Sequence, residues 1–127
     1  MPYIFINGQK ISDNEARRAK PNQTLLSFLR DVMHLSGSKL GCAEGGCGAC
    51  TVMISKYDEN LDKIIHYSVN ACLMPVLATD GCHITTVEGL GSVKGKNEIG
   101  NGLHPVQKAM TDMHGSQCGK LELIYRY

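Results

Sequence analysis

The chain has 127 residues, 43% of them hydrophobic, and its thirteen basic and twelve acidic side chains leave a formal net charge of +1. That is enough for one ordinary domain with a buried core. The balanced charge offers no basic field for nucleic acid and no acidic tail, and no window approaches the roughly 20 apolar residues of a membrane span.

The start, Met1-Pro2-Tyr3-Ile4-Phe5-Ile6, has no basic leader, long apolar stretch or small-residue cleavage site. A secretory signal is therefore not expected, and a reducing compartment, the cytoplasm, is the expected location. Tyr3–Ile6 and Gln9–Ser12 flank Asn7-Gly8, the pair that a type I′ hairpin turn favours because both central residues need positive φ. Arg17-Arg18-Ala19-Lys20 before Pro21 is read as a solvated loop and not as a binding patch. From Thr24 to His34 the residues Leu25, Phe28, Leu29 and Val32 recur at helical spacing, with Asn22 or Thr24 as cap and Gly37 near the exit.

The spacing then changes character. Ten residues, Gly41 to Cys50, hold the three cysteines Cys42, Cys47 and Cys50 among four glycines, and Cys72 follows after a gap of twenty-one residues. C-x4-C-x2-C with a distant fourth cysteine is the spacing by which four thiolates hold a plant-type [2Fe–2S] cluster. Cys42 and Cys47 are assigned to one iron, Cys50 and Cys72 to the other. The glycines support that reading, because a loop wrapped on a cluster needs positive φ and close backbone approach to sulfur. On this ground a Gly46→Val change is expected to cost the cluster.

Two plainer readings of the cysteines are weaker. Structural zinc takes its ligands as two short Cys-x2–4-Cys knuckles, whereas Cys72 stands alone. A disulfide framework needs a secreted chain. His66, His83, His104 and His114 show no ligand spacing and are read as structural or surface residues, and Cys82 as a small buried apolar residue.

Thr51–Ser55 and Lys63–Val69 read as strands with a turn over Tyr57–Asn60 between them, so that each delivers a cysteine at its end. Residues 72–78 suggest a short helix or turn, and His83–Val87 a closing strand. Gly89 to Gly102 contains five glycines and no periodicity, as a linker does. His104 to Met113 reads as a helix with Pro105 in its first turn and an apolar stripe of Val106, Ala109, Met110 and Met113.

Ser38 to Met53, Asn70-Ala71-Cys72-Leu73, Thr85 to Gly89 and His104-Pro105-Val106-Gln107 together resemble the N-terminal iron–sulfur domain of the xanthine dehydrogenase and aldehyde oxidase family, with Glu44 and Ser55-Lys56-Tyr57-Asp58 closest to the xanthine dehydrogenase branch. The resemblance runs from about residue 3 to residue 119. It implies an α+β fold, a plant-type β-grasp ferredoxin-like domain over residues 1–90, a linker over 91–103, and over 104–127 a helical stub that is the start of a second [2Fe–2S] domain. It makes Cys42, Cys47, Cys50 and Cys72 the ligands of one [2Fe–2S] cluster. Cys118 matches the first ligand of a second cluster, and Gln117 a residue beside the molybdopterin. Beyond Cys118-Gly119 the sequence leaves the family pattern, so the other three ligands of that cluster are not expected here.

The function implied is one-electron transfer as the relay module of a xanthine dehydrogenase-like oxidoreductase, with its molybdopterin and flavin domains or subunits as partners. Such a module is not expected to oxidise substrate alone. The alternatives are a non-catalytic truncated fragment and a small electron-transfer subunit joining separate molybdenum and flavin partners.

Overall fold

A computed structural model describes residues 2–91 and 103–115. Asn7 (φ 50°) and Gly8 (φ 84°) turn the first hairpin as the Asn-Gly pair predicts, between β1 (Phe5–Ile6) and β2 (Gln9–Lys10). The strands are shorter than the apolar run suggested because a helix intervenes. Ser12 accepts from the Glu15 N–H while the Glu15 carboxylate accepts from the Ser12 N–H, a capping box that starts α1 (Asp13–Arg17). The solvated loop assigned to Arg17–Lys20 is thus partly helix, with Ala16 buried under it.

Thr24 caps α2 (Leu25–Ser27) by accepting from the Ser27 N–H. The expected single helix continues as a π-helical segment over Phe28–Val32. Its wider turn still buries Phe28, Leu29 and Val32 together with Leu25 and Leu26. His34 (φ 57°), and not Gly37, takes the left-handed conformation after it.

Two long strands follow, β3 (Thr51–Asp58) and β4 (Lys63–Asn70), paired antiparallel over their whole length, so Tyr57 belongs to a strand and the turn begins later. A 3-10 turn at Val76–Thr79 leads to β5 (His83–Thr85), and a second one at Val87–Gly89 ends the strand two residues earlier than its alternation indicated. The mixed sheet runs β2-β1-β5-β3-β4, with β1 and β5 parallel. One face of the sheet packs Ile4, Ile6, Val52, Ile54 and Ile84 against the apolar side of α2 and its π extension. This α+β arrangement, one helix lying across a five-stranded mixed sheet, is the ferredoxin-like fold the sequence implied.

Helix α3 (Pro105–Asp112) starts at His104, whose ring nitrogen accepts from the Val106 N–H. Gln107, not the apolar stripe, faces the body: it is 3% exposed, while Val106 is 49% and Met113 78% exposed. Its side-chain amide donates to the Val87 carbonyl (3.1 Å) and accepts from the His104 N–H (2.9 Å). Among the described residues no helix is long and apolar enough to cross a membrane. Cys118, Gln117 and most of the expected linker lie outside the described residues.

Candidate iron–sulfur centre

The cysteine loop hangs between two anchored ends. On the entering side the Arg30 guanidinium donates to the Ser36 and Ser38 carbonyls, both at 2.8 Å, and the Gly37 N–H donates to the Glu88 carboxylate (2.6 Å). The Lys39 N–H then donates to the Ala49 carbonyl (2.9 Å), which closes the loop at its base. On the leaving side Thr51 donates to the Gly48 carbonyl from both its N–H (3.0 Å) and its hydroxyl (2.7 Å), where β3 begins.

Cys72 comes from a different element and is fixed independently. The β3–β4 register pairs Thr51 with Asn70, and the Ala71 N–H donates to the Cys50 carbonyl (3.3 Å), so the sheet itself carries Cys72 to Cys50. The first N–H groups of α2, which have no partner inside the helix, donate from Leu26 to the Ala71 carbonyl and from Leu25 to that of Met74. The helix start thereby holds the turn carrying Cys72. The Asn70 side chain donates to the Gly45 carbonyl (3.1 Å) and ties the far side of the loop to the same strand end.

The Cys47 N–H on the Cys42 sulfur and the Ala71 N–H on the Cys50 carbonyl set the four predicted cysteines as two neighbouring pairs, Cys42 with Cys47 and Cys50 with Cys72. Cys42 and Cys47 lie within hydrogen-bonding reach of each other, and so do Cys50 and Cys72. These are the pairs assigned from spacing to the two irons. The five described cysteines are free thiols, contrary to a disulfide framework. Among the described residues no three thiol, imidazole or carboxylate groups gather as a single-ion site requires. Paired thiols suit a two-iron cluster, with two thiolates per iron.

The backbone is already arranged for thiolate. The Cys42 sulfur accepts from the Glu44 (3.5 Å), Gly46 (3.3 Å) and Cys47 (3.4 Å) N–H groups. These donors, the Glu44 N–H foremost, lower its pKa from 9.0 to about 7. Burial pushes the Cys50 thiol the other way, and that of Cys82 as well. Cys82 is 3% exposed and sits among the core residues, as expected of it. His66 bonds the Ser55 hydroxyl (2.8 Å) and His83 accepts from the Gly8 N–H (2.8 Å), the structural roles read for both.

The glycine expectation needs a correction. Gly45 has φ +77°, and a Cβ there would meet Leu73 at 2.8 Å; a Cβ on Gly41 would come within 2.6 Å of the Cys47 sulfur. Gly46 has neither a positive φ nor a close neighbour, since a Cβ on it would meet only the Glu44 side chain, at 3.7 Å. Its contribution is its N–H, which any residue but proline supplies. Sequence reasoning also missed Arg30 and Asn70 as supports of the loop, because each acts through a backbone carbonyl that no spacing rule marks.

Four thiols in two pairs, amide N–H groups turned onto a sulfur and a backbone pressed against that loop define a plant-type [2Fe–2S] domain. The chain belongs to the 2Fe-2S iron-sulfur cluster binding domain family, whose pattern it matches over residues 4–77. It is 55% identical to the xanthine dehydrogenase of Drosophila subobscura over 116 residues, which are 91% of this chain and 8% of that protein. Among solved structures it is similar to quinoline 2-oxidoreductase from Pseudomonas putida 86, with a TM-score of 0.67 and 30% identity over 93% of this chain and 60% of the other. It is equally similar to the aldehyde oxidoreductase of Desulfovibrio gigas, with a TM-score of 0.67 and 32% identity over 93% of this chain and 11% of that one. The resemblance read from the motifs is therefore real, and the chain is homologous to the iron–sulfur domain of these enzymes while spanning under a tenth of the curated relative's length.

Proposed function

We infer that the chain carries single electrons through one [2Fe–2S] cluster held by Cys42, Cys47, Cys50 and Cys72, as the relay module of a xanthine dehydrogenase-like oxidoreductase. The observation that supports this is the set of three amide N–H groups on the Cys42 sulfur, together with the β3–β4 register that carries Cys72 to Cys50. When bound, such a cluster takes up and gives back one electron at a time. The residues of the chain set the terms. N–H groups on Cys42 offset the negative charge that reduction adds, which favours the reduced form. Burial of Cys50 and Cys72, at 2% and 8% exposure, keeps water from that end, while Cys47 is exposed on the other.

By homology the partners are molybdopterin and flavin domains or subunits, residues 1–90 are the relay domain, 91–103 a linker, and 104–127 the start of a second helical domain. A reducing compartment such as the cytoplasm suits a set of free thiols. The exposed Val106 and Met113 on α3 favour a second reading, in which the chain binds a partner of that kind without being catalytic.

Iron and acid-labile sulfide analysis with visible and EPR spectra tests the first reading. Two irons and two sulfides per chain are expected, with an EPR signal appearing on reduction. Cys72→Ser should abolish it, because a serine oxygen is a harder and poorer ligand than a thiolate. A Cys72→Ser protein with unchanged iron and spectrum would remove Cys72 from the ligand set, and four irons per chain would sink the single-cluster assignment.

A further inference from the structure

Among the described residues five polar side chains are buried: Ser38, Ser55, Thr79, Thr86 and Gln107. Four of them have partners. Ser55 bonds to His66, Thr79 donates to the Val76 carbonyl, Thr86 to the Glu88 carboxylate and Gln107 to the Val87 carbonyl. Ser38, 2% exposed, is the exception, because its hydroxyl oxygen reaches no donor or acceptor of the chain. A buried hydroxyl without a partner loses its water and gains nothing in return, so native folds keep few of them.

The place of this hydroxyl in the fold is well defined. The peptide joining Ser38 to Lys39 is held from both sides, its carbonyl by the Arg30 guanidinium at 2.8 Å and its N–H by the Ala49 carbonyl at 2.9 Å. The Ala49 carbonyl belongs to the peptide that leads into Cys50, and the Cys50 carbonyl in turn accepts from the Ala71 N–H, beside Cys72. Ser38 is therefore one backbone hydrogen bond away from the end of the thiol loop at which Ala49, Cys50, Ala71 and Cys72 are all buried. An ordered water at Ser38 would need about three polar partners, and this peptide has already given its carbonyl to Arg30 and its N–H to Ala49.

We propose that Ser38 sets the reduction potential of the cluster, its hydroxyl donating to a cluster sulfur at the Cys50–Cys72 end. The inference rests on the single-cluster reading above. Sulfurs of a [2Fe–2S] group accept hydrogen bonds, and each such bond offsets the negative charge that reduction adds and so favours the reduced form. In a buried setting the bond acts with less screening than on the exposed Cys47 side. Unlike the amides on Cys42, which the backbone of any residue but proline supplies, this donor is a side chain. It can be removed without touching a ligand.

Redox titration of the iron-loaded full chain, with proton ENDOR on the reduced form, tests the assignment. Ser38→Ala should hold two irons with the wild-type visible spectrum and be harder to reduce, by about tenfold in the equilibrium, which is a fall of about 59 mV for one electron. Ser38→Thr keeps the hydroxyl and should lie close to the wild type. ENDOR reads the bond without any variant: the wild type should show a cluster-coupled proton that exchanges quickly in D2O, as a hydroxyl does and a buried amide does not. That proton should persist in Ser38→Thr and vanish in Ser38→Ala. A loaded Ser38→Ala protein with unchanged potential, or a wild type without the fast-exchanging proton, would overturn the proposal and leave the cluster assignment standing. A wild-type chain that takes up no iron and sulfide would sink both.

Discussion

A thiol loop of this kind is sensitive at single backbone positions. Gly45→Val combines a left-handed φ with a Cβ 2.8 Å from Leu73, and the conformation alone costs a side chain about 1–2 kcal/mol. The variant should lose bound iron, with a lower urea midpoint. Gly46→Ala, next door, should load iron normally and shift stability by no more than about 0.5 kcal/mol. Equal damage in both would mean that packing around the loop, and not φ, is limiting. Cys42 gives a second residue-level expectation, this one about pH. Its pKa in the fold is about 7 against 9.0, so its thiolate contributes stability that is present above the unfolded value and is lost as pH falls through about 7. In the iron-free protein, alkylation of Cys42 should therefore be half-maximal near pH 7, while that of Cys50, raised by burial, titrates above the ordinary thiol range. A common profile for both thiols would contradict the amide donors seen on Cys42.

Among the elements, α1 is the one whose existence rests on its cap. Five residues are too few to form a helix from propensity, and the reciprocal Ser12 and Glu15 bonds supply what the length lacks. Ser12→Ala should cost about 1 kcal/mol in urea unfolding. The Ser12 side-chain bond, followed by the Ser12 backbone bond, lowers the Glu15 pKa below 4.5. Its contribution is thus present above 4.5 and lost as pH falls through the lower folded value. The gap between wild type and Ser12→Ala should narrow in acid, and a gap independent of pH would show that the carboxylate takes no part. The π-helical stretch over Phe28–Val32 matters for a different reason. It carries Arg30, whose guanidinium reaches the Ser36 and Ser38 carbonyls and so delivers the chain to the thiol loop at a fixed angle.

For the molecule as a whole, the buried side-chain amide of Gln107 joins α3 to the sheet domain. Gln107→Ala takes the acceptor from the His104 N–H and one of two donors from the Val87 carbonyl, which keeps the Leu90 N–H, and an unsatisfied buried polar group costs about 1–3 kcal/mol. Amide exchange in α3 should speed up by about tenfold or more, with β3 and β4 protection and iron content unchanged. Loss of protection throughout the sheet would mean that α3 is part of one cooperative unit.

The local rules carried a long way. The Asn7-Gly8 turn, the strands reaching Cys50 and Cys72 and the Thr24 cap were all readable, because φ preference, period-two alternation and capping act over a few residues of chain. What the sequence did not reveal were contacts between distant segments. Arg30 serves a loop six residues on, Asn70 reaches back to Gly45, and Gln107, polar and in no apolar stripe, is the buried residue of α3. Each of these meets a backbone carbonyl, a partner that every residue carries and that therefore leaves no mark in the amino-acid order. Gly46 shows the converse, since a glycine-rich run identifies a loop, but only the packed chain decides which glycines face a neighbour and which simply offer an N–H. The same division holds at the sheet edges. Composition gives β2 and β4 their residues, and tertiary pairing alone decides that both lie outermost and that the longer one is left with its hydrogen-bonding groups turned outward.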